Sequence, residues 1–433
     1  MFEEGAVEYD YEDPLTIFKA ISDLDTMYHH EVMKERNAGH FRDAMLKEWY
    51  DQVKNKNFTK MLRSKLPKGA TVLPAVWQMK RKRDIKSGEV KKYKARLNLD
   101  GSKMIKGKHY ELTYCPVVRW FSVRLLLALS LVNNWKTTQI DHVLAYPQAP
   151  IERKIYMEIP RGMQLRVGNK EDYVLKVNRN IYGQKQAGRV WYKYLSNKLT
   201  SEVGFTKSKV DEGIFYRGRV MYILYTDDSI LAAPIQKETD EAIKDIQGAG
   251  LNIAIEGDVK DFLGTNIQKK KNGKMIMTQP HLIKQIWEGL GMDHCTKAKK
   301  LPALSSKILL NHQDSEDFDY SFQYRSIIGK LNYLEKGTRP DISYSTHQCA
   351  RFVEQPKDEH GEAIRQIVRY LIGSKDKGIT IEPDLSKGLE VYVDSDFADN
   401  WDRNDSSNKD TTRTRHGYYI SYNGVPLLWK SQL

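Results

Sequence analysis

The stretch that decides the fold is Met221-Tyr222-Ile223-Leu224-Tyr225-Thr226-Asp227-Asp228-Ser229-Ile230-Leu231-Ala232-Ala233. Two apolar arms flank a tip that carries adjacent carboxylates. The pattern predicts a β-hairpin over 221–233, with buried arms and acid at the turn. Adjacent Asp residues at a turn are common, because Asp favours turns. The apolar flanks add information, since buried strands lift the two acids to a rigid tip. Uncompensated acids there repel, and a divalent cation is their natural partner.

A second acid stands in a similar context upstream. Thr137-Thr138-Gln139-Ile140-Asp141 is short, β-like and ends on a carboxylate. If this strand neighbours the hairpin, Asp141 and Asp227 can share two ions about 3.5–4 Å apart. Chain spacing alone does not place the two strands side by side.

Other elements follow from periodicity. A helix is expected over 14–66, where Phe41, Met45, Trp49 and Val53 recur every four residues as one apolar stripe. Strands over 75–82 and 90–99, around Ser87-Gly88, make a hairpin with a basic face. Helices are expected over 122–132, 190–199, 282–290, 324–334 and 361–371. Strands are expected over 390–393, 416–422 and 426–429. Asn272-Gly273 reads as a hairpin turn, 297–300 as a loop and 402–412 as a polar loop.

Composition bounds the function. The 433 residues allow two to four domains, and 40% hydrophobic content supports a real core. Lys and Arg outnumber Asp and Glu by 69 to 56, which suits a polyanionic partner. The excess is concentrated: residues 60–108 hold sixteen Lys or Arg against Asp84, Glu89 and Asp100. Such a cluster is either a solvated hairpin surface or a cradle for nucleic acid or triphosphate. The apolar run over 125–132 is far too short to span a bilayer, so no membrane partner is expected. Residues 1–14 are acidic and do not read as a secretory signal. Cys115, Cys295 and Cys349 lie far apart, which argues against a disulfide framework or a Cys-based zinc site and fits a reducing, intracellular setting. His29-His30 have no nearby Cys partners and read as surface residues.

Several short motifs occur in order. They are Val76-Trp77 with Lys80 and Lys82, Tyr93-Lys94-Ala95-Arg96-Leu97, Pro116-Val117-Val118, and Gln139-Ile140-Asp141 followed by Ala145-Tyr146. Next come Ile155-Tyr156-Met157-Glu158-Ile159-Pro160, Ile181-Tyr182-Gly183-Gln184-Lys185-Gln186-Ala187 and Tyr225-Thr226-Asp227-Asp228. Phe262-Leu263-Gly264, Thr338-Arg339-Pro340-Asp341-Ile342 and Asp394-Ser395-Asp396 complete the series. Each is weak alone, and their shared order is specific. From about residue 13 to its last residue the chain resembles the reverse transcriptase of Ty1/copia retrotransposons.

The resemblance implies an α+β right-hand polymerase followed by an incomplete ribonuclease H-like α/β segment. Its parts would be an N-terminal helical extension (1–70), fingers (71–135), palm with part of the fingers near 150–190 (136–265), thumb (266–335), connection (336–385) and the ribonuclease H-like segment (386–433). It implies Mg²⁺, with Mn²⁺ as an alternative, on Asp141, Asp227, Asp228 and the backbone carbonyl of His142. Tyr146 would lie under the incoming sugar and crowd a 2′-hydroxyl. Gln186 would contact the incoming nucleotide, and Lys94 and Arg96 would hold the triphosphate. The implied reaction is RNA-directed DNA polymerisation, in which a primer 3′-hydroxyl attacks an α-phosphate and pyrophosphate leaves. The implied partners are an RNA or DNA template with primer, deoxynucleoside triphosphates and other Pol-derived proteins. The family's life cycle implies cytoplasmic virus-like particles and then the nucleus.

The sequence departs from the family in four places. Thr226 stands where an apolar residue is usual; it is β-branched, suits a strand and is expected to be tolerated. Asp100 lies after the basic pair and is expected to weaken triphosphate binding. Val143-Leu144 are more apolar than usual. Asp394 matches the first metal-binding Asp of the ribonuclease H domain, and the chain stops at Leu433 before the catalytic Glu. Ribonuclease H activity is therefore expected to be absent, and the chain reads as a fragment of a polyprotein or a decayed copy. Two other readings are a non-catalytic nucleic-acid binder of the same fold, and a metal-dependent nuclease using Asp394, Asp396 and Asp399.

Overall fold

The computed structural model describes residues 25–83, 89–163, 168–303, 309–310, 315–398, 401, 403, 406 and 409–433. The hairpin is present: Val220–Tyr225 and Asp228–Ala233 pair antiparallel, with Tyr225 opposite Asp228. Its second arm pairs with Lys136–His142. The resulting six-stranded antiparallel sheet runs Ile253–Gly257, Lys136–His142, Asp228–Ala233, Val220–Tyr225, Ile214–Arg217, Thr206–Lys207.

Alternate side chains leave a strand on opposite faces. Tyr222, Leu224, Leu231 and Ile140 take one face and pack with Trp191 and Leu195 of the Ala187–Asn197 helix and Ile243 and Ile246 of the Gln236–Gly248 helix. Ile223, Ile230 and Ala232 take the other, with Val123, Leu126 and Leu127 of the Trp120–Val132 helix. Both faces are covered, which is why both arms read as continuous apolar runs.

The basic hairpin also forms, from Ala75–Arg83 and Val90–Leu99, with Thr26–Tyr28 on its outer edge. Trp77, Met79, Ala95 and Leu97 bury one face with Phe41, Met45 and Trp49 of the Ala38–Lys54 helix. Lys94 and Arg96 fall on the opposite face by alternation. The helix expected over 14–66 is therefore shorter. Lys56 takes a left-handed φ of +54°, and Phe58–Leu62 becomes a strand against Tyr173–Arg179. Cross-strand backbone bonds override local helical preference there. Residues 14–24 lie outside the described residues, as do the Ser87-Gly88 turn and most of 402–408.

Downstream, the helices Pro280–Gly289, Tyr324–Gly337 and Asp358–Ile372 share a core of Ile283, Ile327, Leu331, Ile364 and Ile367. Ile379–Ile381 pairs with Met275–Thr278, which continues into Thr265–Lys269 and Asp261–Phe262. The strands Leu389–Ser395, His416–Tyr422 and Val425–Gln432 make a three-stranded sheet. Among the described residues the helices Ala145–Gln148, Gln236–Gly248 and Ser343–Ala350 escape the sequence reading. The polar stretch over 402–412 ends in one helical turn, Lys409–Thr412. No helix among the described residues is long and apolar enough to cross a membrane. All three cysteines are free.

Arg124 ties the last sheet to the centre. Its buried Nε donates to the Leu427 carbonyl at 2.9 Å, and Nη1 donates to the Lys336 and Gly337 carbonyls, each at 2.9 Å. The guanidinium lies 4.1 Å from the Trp429 ring centroid. Arg124→Leu leaves these carbonyls without their donor, at about 1–3 kcal/mol for each buried group left unpaired. The variant is expected to lose about 3 kcal/mol or more in urea unfolding, and an unchanged midpoint would refute the clamp. His347 gives a pH test of the same region. Burial first, then Arg415, Arg351, Lys430 and His416, push its pKa down to about 4. The unfolded chain takes up that proton near about pH 6.5, so stability is present above that pH and falls as acid is added. The stability difference between wild type and His347→Gln, measured by thermal unfolding, is expected to shift against the wild type from pH 7 to 5, and a constant difference would refute this role.

Candidate active site

Antiparallel register sets Asp228 directly opposite Asp141. Opposed Cβ atoms in such a pair lie about 4.5–5.5 Å apart and point to the same face. Asp227 sits on the turn, and its carbonyl accepts the His142 N–H at 2.9 Å. Thr226 occupies the turn with φ +57° and is not part of either strand. This corrects the expectation that it suits a strand. A β-branched residue in the left-handed region costs of order 1–3 kcal/mol. Trp191, fully buried on its helix, donates Nε1–H to the Thr226 carbonyl at 2.6 Å. Two N–H groups, from His142 and Trp191, thus hold the strained tip.

The acids stay uncompensated. Burial, then Asp227, Asp141, Glu256 and Asp261, push the Asp228 carboxyl up to about 7. Asp141 is raised by burial and by Asp227, against the opposing pull of Lys94, Lys82 and Arg96. Among the described residues no group of three or more His, Cys, Asp or Glu closes into a metal cage. The carboxylates supply hard oxygen donors and unneutralised charge and leave the rest of a coordination shell open. Magnesium is usually bound this way, by one or two carboxylates plus substrate phosphates. The donor set therefore fits a magnesium or manganese ion.

A cationic and aromatic wall faces the acids. Lys94 is half-buried, and burial, then Arg96 and Lys82, push its pKa down to about 8, with Glu48 opposing. The Arg96 guanidinium lies 4.7 Å from the Tyr182 ring centroid. Tyr182 in turn lies 5.1 Å from the Tyr146 ring. Burial, then Asp227, push the Tyr146 hydroxyl up to about 12. Leu144, with φ +52°, kinks the chain into the short Ala145–Gln148 helix that presents Tyr146. Gln186 caps the start of the Ala187–Asn197 helix, and its buried Nε2 and Oε1 both lack a hydrogen-bond partner.

Other expected residues fall elsewhere. The His142 ring points to the opposite sheet face from Asp141. Its Nε2 shares a hydrogen bond with the Tyr222 hydroxyl at 2.8 Å, and burial pushes its pKa down to about 3. The ring is neutral and outside the site; only its backbone lies at the tip. Asp100, expected to weaken triphosphate binding, is engaged by its own turn. Its carboxylate accepts the Ser102 N–H at 3.0 Å and the Ser102 hydroxyl at 2.6 Å, capping its own turn. Asp394 and Asp396 accept backbone N–H groups of Ser395 and Arg415, and Asp399 lies outside the described residues. Sequence reasoning gave no role to Glu48, Glu256, Asp261 or the stacking of Tyr182. The Ile181-Tyr182-Gly183 motif was the available signal for the last.

The chain is similar to several known proteins. Residues 55–305, more than half of the chain, match the family model described as reverse transcriptase (RNA-dependent DNA polymerase). The retrovirus-related Pol polyprotein from transposon RE2 of Arabidopsis thaliana is 29% identical over 84% of this chain and 24% of its own length. That from transposon TNT 1-94 of Nicotiana tabacum is 28% identical over 93% of this chain and 30% of its own. The putative transposon Ty5-1 protein YCL074W of Saccharomyces cerevisiae is 27% identical over 68% of this chain and 92% of its own. The chain thus spans about a quarter to a third of the two Pol polyproteins. Among solved structures, a foamy viral protease-reverse transcriptase in complex with double-stranded DNA matches 90% of this chain and 55% of its own, at 12% identity and a TM-score of 0.46.

The tip geometry gives a direct test. Trp191→Phe removes the N–H that holds Thr226 and is expected to cost about 1–3 kcal/mol. Amide hydrogen exchange should quicken at residues 226–228 more than in the arms. Equal change in tip and arms would mean that Trp191 acts only by filling the core.

Proposed function

The chain belongs to the family of reverse transcriptases (RNA-dependent DNA polymerases), and on that premise we propose that it copies a template strand into DNA. The reaction is nucleotidyl transfer: the primer 3′-hydroxyl attacks the α-phosphate of a deoxynucleoside triphosphate, and pyrophosphate leaves. The observation that carries this reading is the register that sets Asp141 opposite Asp228 beneath Lys94 and Arg96. Asp141, Asp227, Asp228 and the His142 carbonyl would hold magnesium or manganese. The bound metal supplies charge that lowers the pKa of the attacking hydroxyl and offsets charge on the leaving group.

The chain's own residues do the rest. Lys94 and Arg96 bind triphosphate oxygens; a Lys pKa near 8 keeps the ammonium largely charged at neutral pH. Tyr182 stacks under the Arg96 guanidinium and fixes the plane of its donor fork. Gln186 offers the nucleotide a buried amide with both ends free. The Tyr146 ring closes the space that a 2′-hydroxyl needs. The basic hairpin tracks the phosphate backbone, while base pairing carries the sequence. In this reading residues 71–135 act as fingers, 136–265 as palm with part of the fingers, and 266–335 as thumb. The partners are an RNA or DNA template with its primer and, in the particle, other Pol-derived proteins. The chain would act in cytoplasmic particles and then in the nucleus.

Primer extension on poly(rA)/oligo(dT) with Mg²⁺ or Mn²⁺ tests the proposal. Asp227→Asn is expected to lower extension by about a thousandfold or more, while duplex affinity in a gel shift holds. A wild-type chain that shifts the primer without lengthening it would instead make the protein a non-catalytic binder. Tyr146→Ala is expected to admit ribonucleotides, cutting discrimination about tenfold or more. Unchanged discrimination would remove Tyr146 from the sugar site.

A further inference from the structure

Leu263 and Gly264 form the turn between Asp261–Phe262 and Thr265–Lys269. Both have left-handed backbones, with φ of +54° and +67°. Glycine takes this conformation freely, whereas a bulky L-residue there is an outlier. Strain of this kind persists only where the surroundings enforce it, and it clusters at functional sites. Two contacts enforce it here. The Leu263 side chain joins the apolar cluster that includes Trp120. From the Tyr324–Gly337 helix, the Tyr333 hydroxyl donates to the Leu263 carbonyl at 2.7 Å, across 70 residues of chain.

The turn lies on the carboxylates' side of the sheet: Tyr225, which pairs with Asp228, packs against the same apolar cluster as Leu263 and Trp120. Asp261, just before it, is one of the charges that raise Asp228. Burial, then Tyr225 and Asp228, push the Tyr333 hydroxyl up to about 12, which places that hydroxyl within electrostatic reach of the tip. The Tyr333 ring meets Trp120 edge-on at 6.3 Å and is 38% exposed. Its polar end is therefore committed to the turn while part of its ring stays open to solvent. The same helix is anchored about one turn further on, at its C-terminus, where Arg124 holds the Lys336 and Gly337 carbonyls. Tyr333 links this fixed helix to the strained turn.

We propose that Tyr333 is a positioning residue for strand extension: its hydroxyl holds the Leu263-Gly264 turn in place on the side of the sheet that carries Asp228. The inference rests on the polymerase reading above. It makes no contact with the reacting atoms. It keeps bound substrate in line with the carboxylates, where a displacement of about 1 Å can cost on the order of a hundredfold in rate.

Tyr333→Phe tests this, because it keeps the ring against Trp120 and removes only the hydroxyl. Single-turnover extension of an oligo(dT) primer on poly(rA) is compared with duplex affinity by fluorescence anisotropy. Amide exchange over residues 261–267 and the melting temperature are measured alongside. The expected result is a rate about 5- to 50-fold lower, affinity within about twofold, an unchanged melting temperature and faster exchange at the turn. Wild-type rate in Tyr333→Phe overturns the inference alone. So does a loss of rate matched by equal loss of affinity or of thermal stability, which would make Tyr333 structural. A wild-type chain that does not extend primer overturns the polymerase reading and the inference with it.

Discussion

Like charges set directly opposite each other weaken an antiparallel sheet, and this protein places Asp141 opposite Asp228 beside the hairpin tip. The rest of the fold makes that pairing affordable. The two apolar arms are buried on both faces, between the Trp120–Val132 helix on one side and the Ala187–Asn197 and Gln236–Gly248 helices on the other. Register along those arms is fixed by packing, since a slip of one residue would turn every side chain to the wrong face. Burial first, and then the neighbouring Asp227 and Asp141, push the Asp228 carboxyl up to about 7. A site that favours positive charge is the direct result.

The tip repeats the same logic at the backbone. Thr226 and Leu263 each take a left-handed conformation that their side chains disfavour. Each is held by a hydrogen bond from a distant aromatic side chain, Trp191 in one case and Tyr333 in the other. Lys94 and Arg96 complete the arrangement from the basic hairpin, with Arg96 stacked on Tyr182. Acid, base and aromatic groups thus come from four separate stretches of chain, brought together by the central sheet and the basic hairpin.

Much of this was legible in the sequence because it lies in local pattern. The hairpin arms, the basic strands and the stripe of Phe41, Met45, Trp49 and Val53 follow from runs and periodicity; the first three of the stripe are buried, Val53 is half-buried, and the basic strands bury one face. The Gln236–Gly248 helix was hidden because its outer face is highly charged; Thr239, Ala242, Ile243 and Ile246 are its buried stripe. The strand at Phe58–Leu62 was hidden because its partner lies more than a hundred residues away. Within the site, the residue pattern pointed to the acids, and the family resemblance singled out Lys94 and Arg96. They did not reveal that Thr226 leaves the strand, that the His142 ring turns away, or that Asp100 folds onto Ser102. Those outcomes depend on single backbone angles and on neighbours brought by tertiary structure.

The central claim is that Asp141 and Asp228 form one cation site. Titrating Mn²⁺ into the wild-type chain by electron paramagnetic resonance, and then into Asp141→Asn, Asp228→Asn and the double variant, tests it most directly. The account predicts that each single change removes most of the binding and that the double change removes little more, as expected for groups acting on one shared ligand. Losses that simply add, or a double variant that still binds as the wild type does, would contradict it.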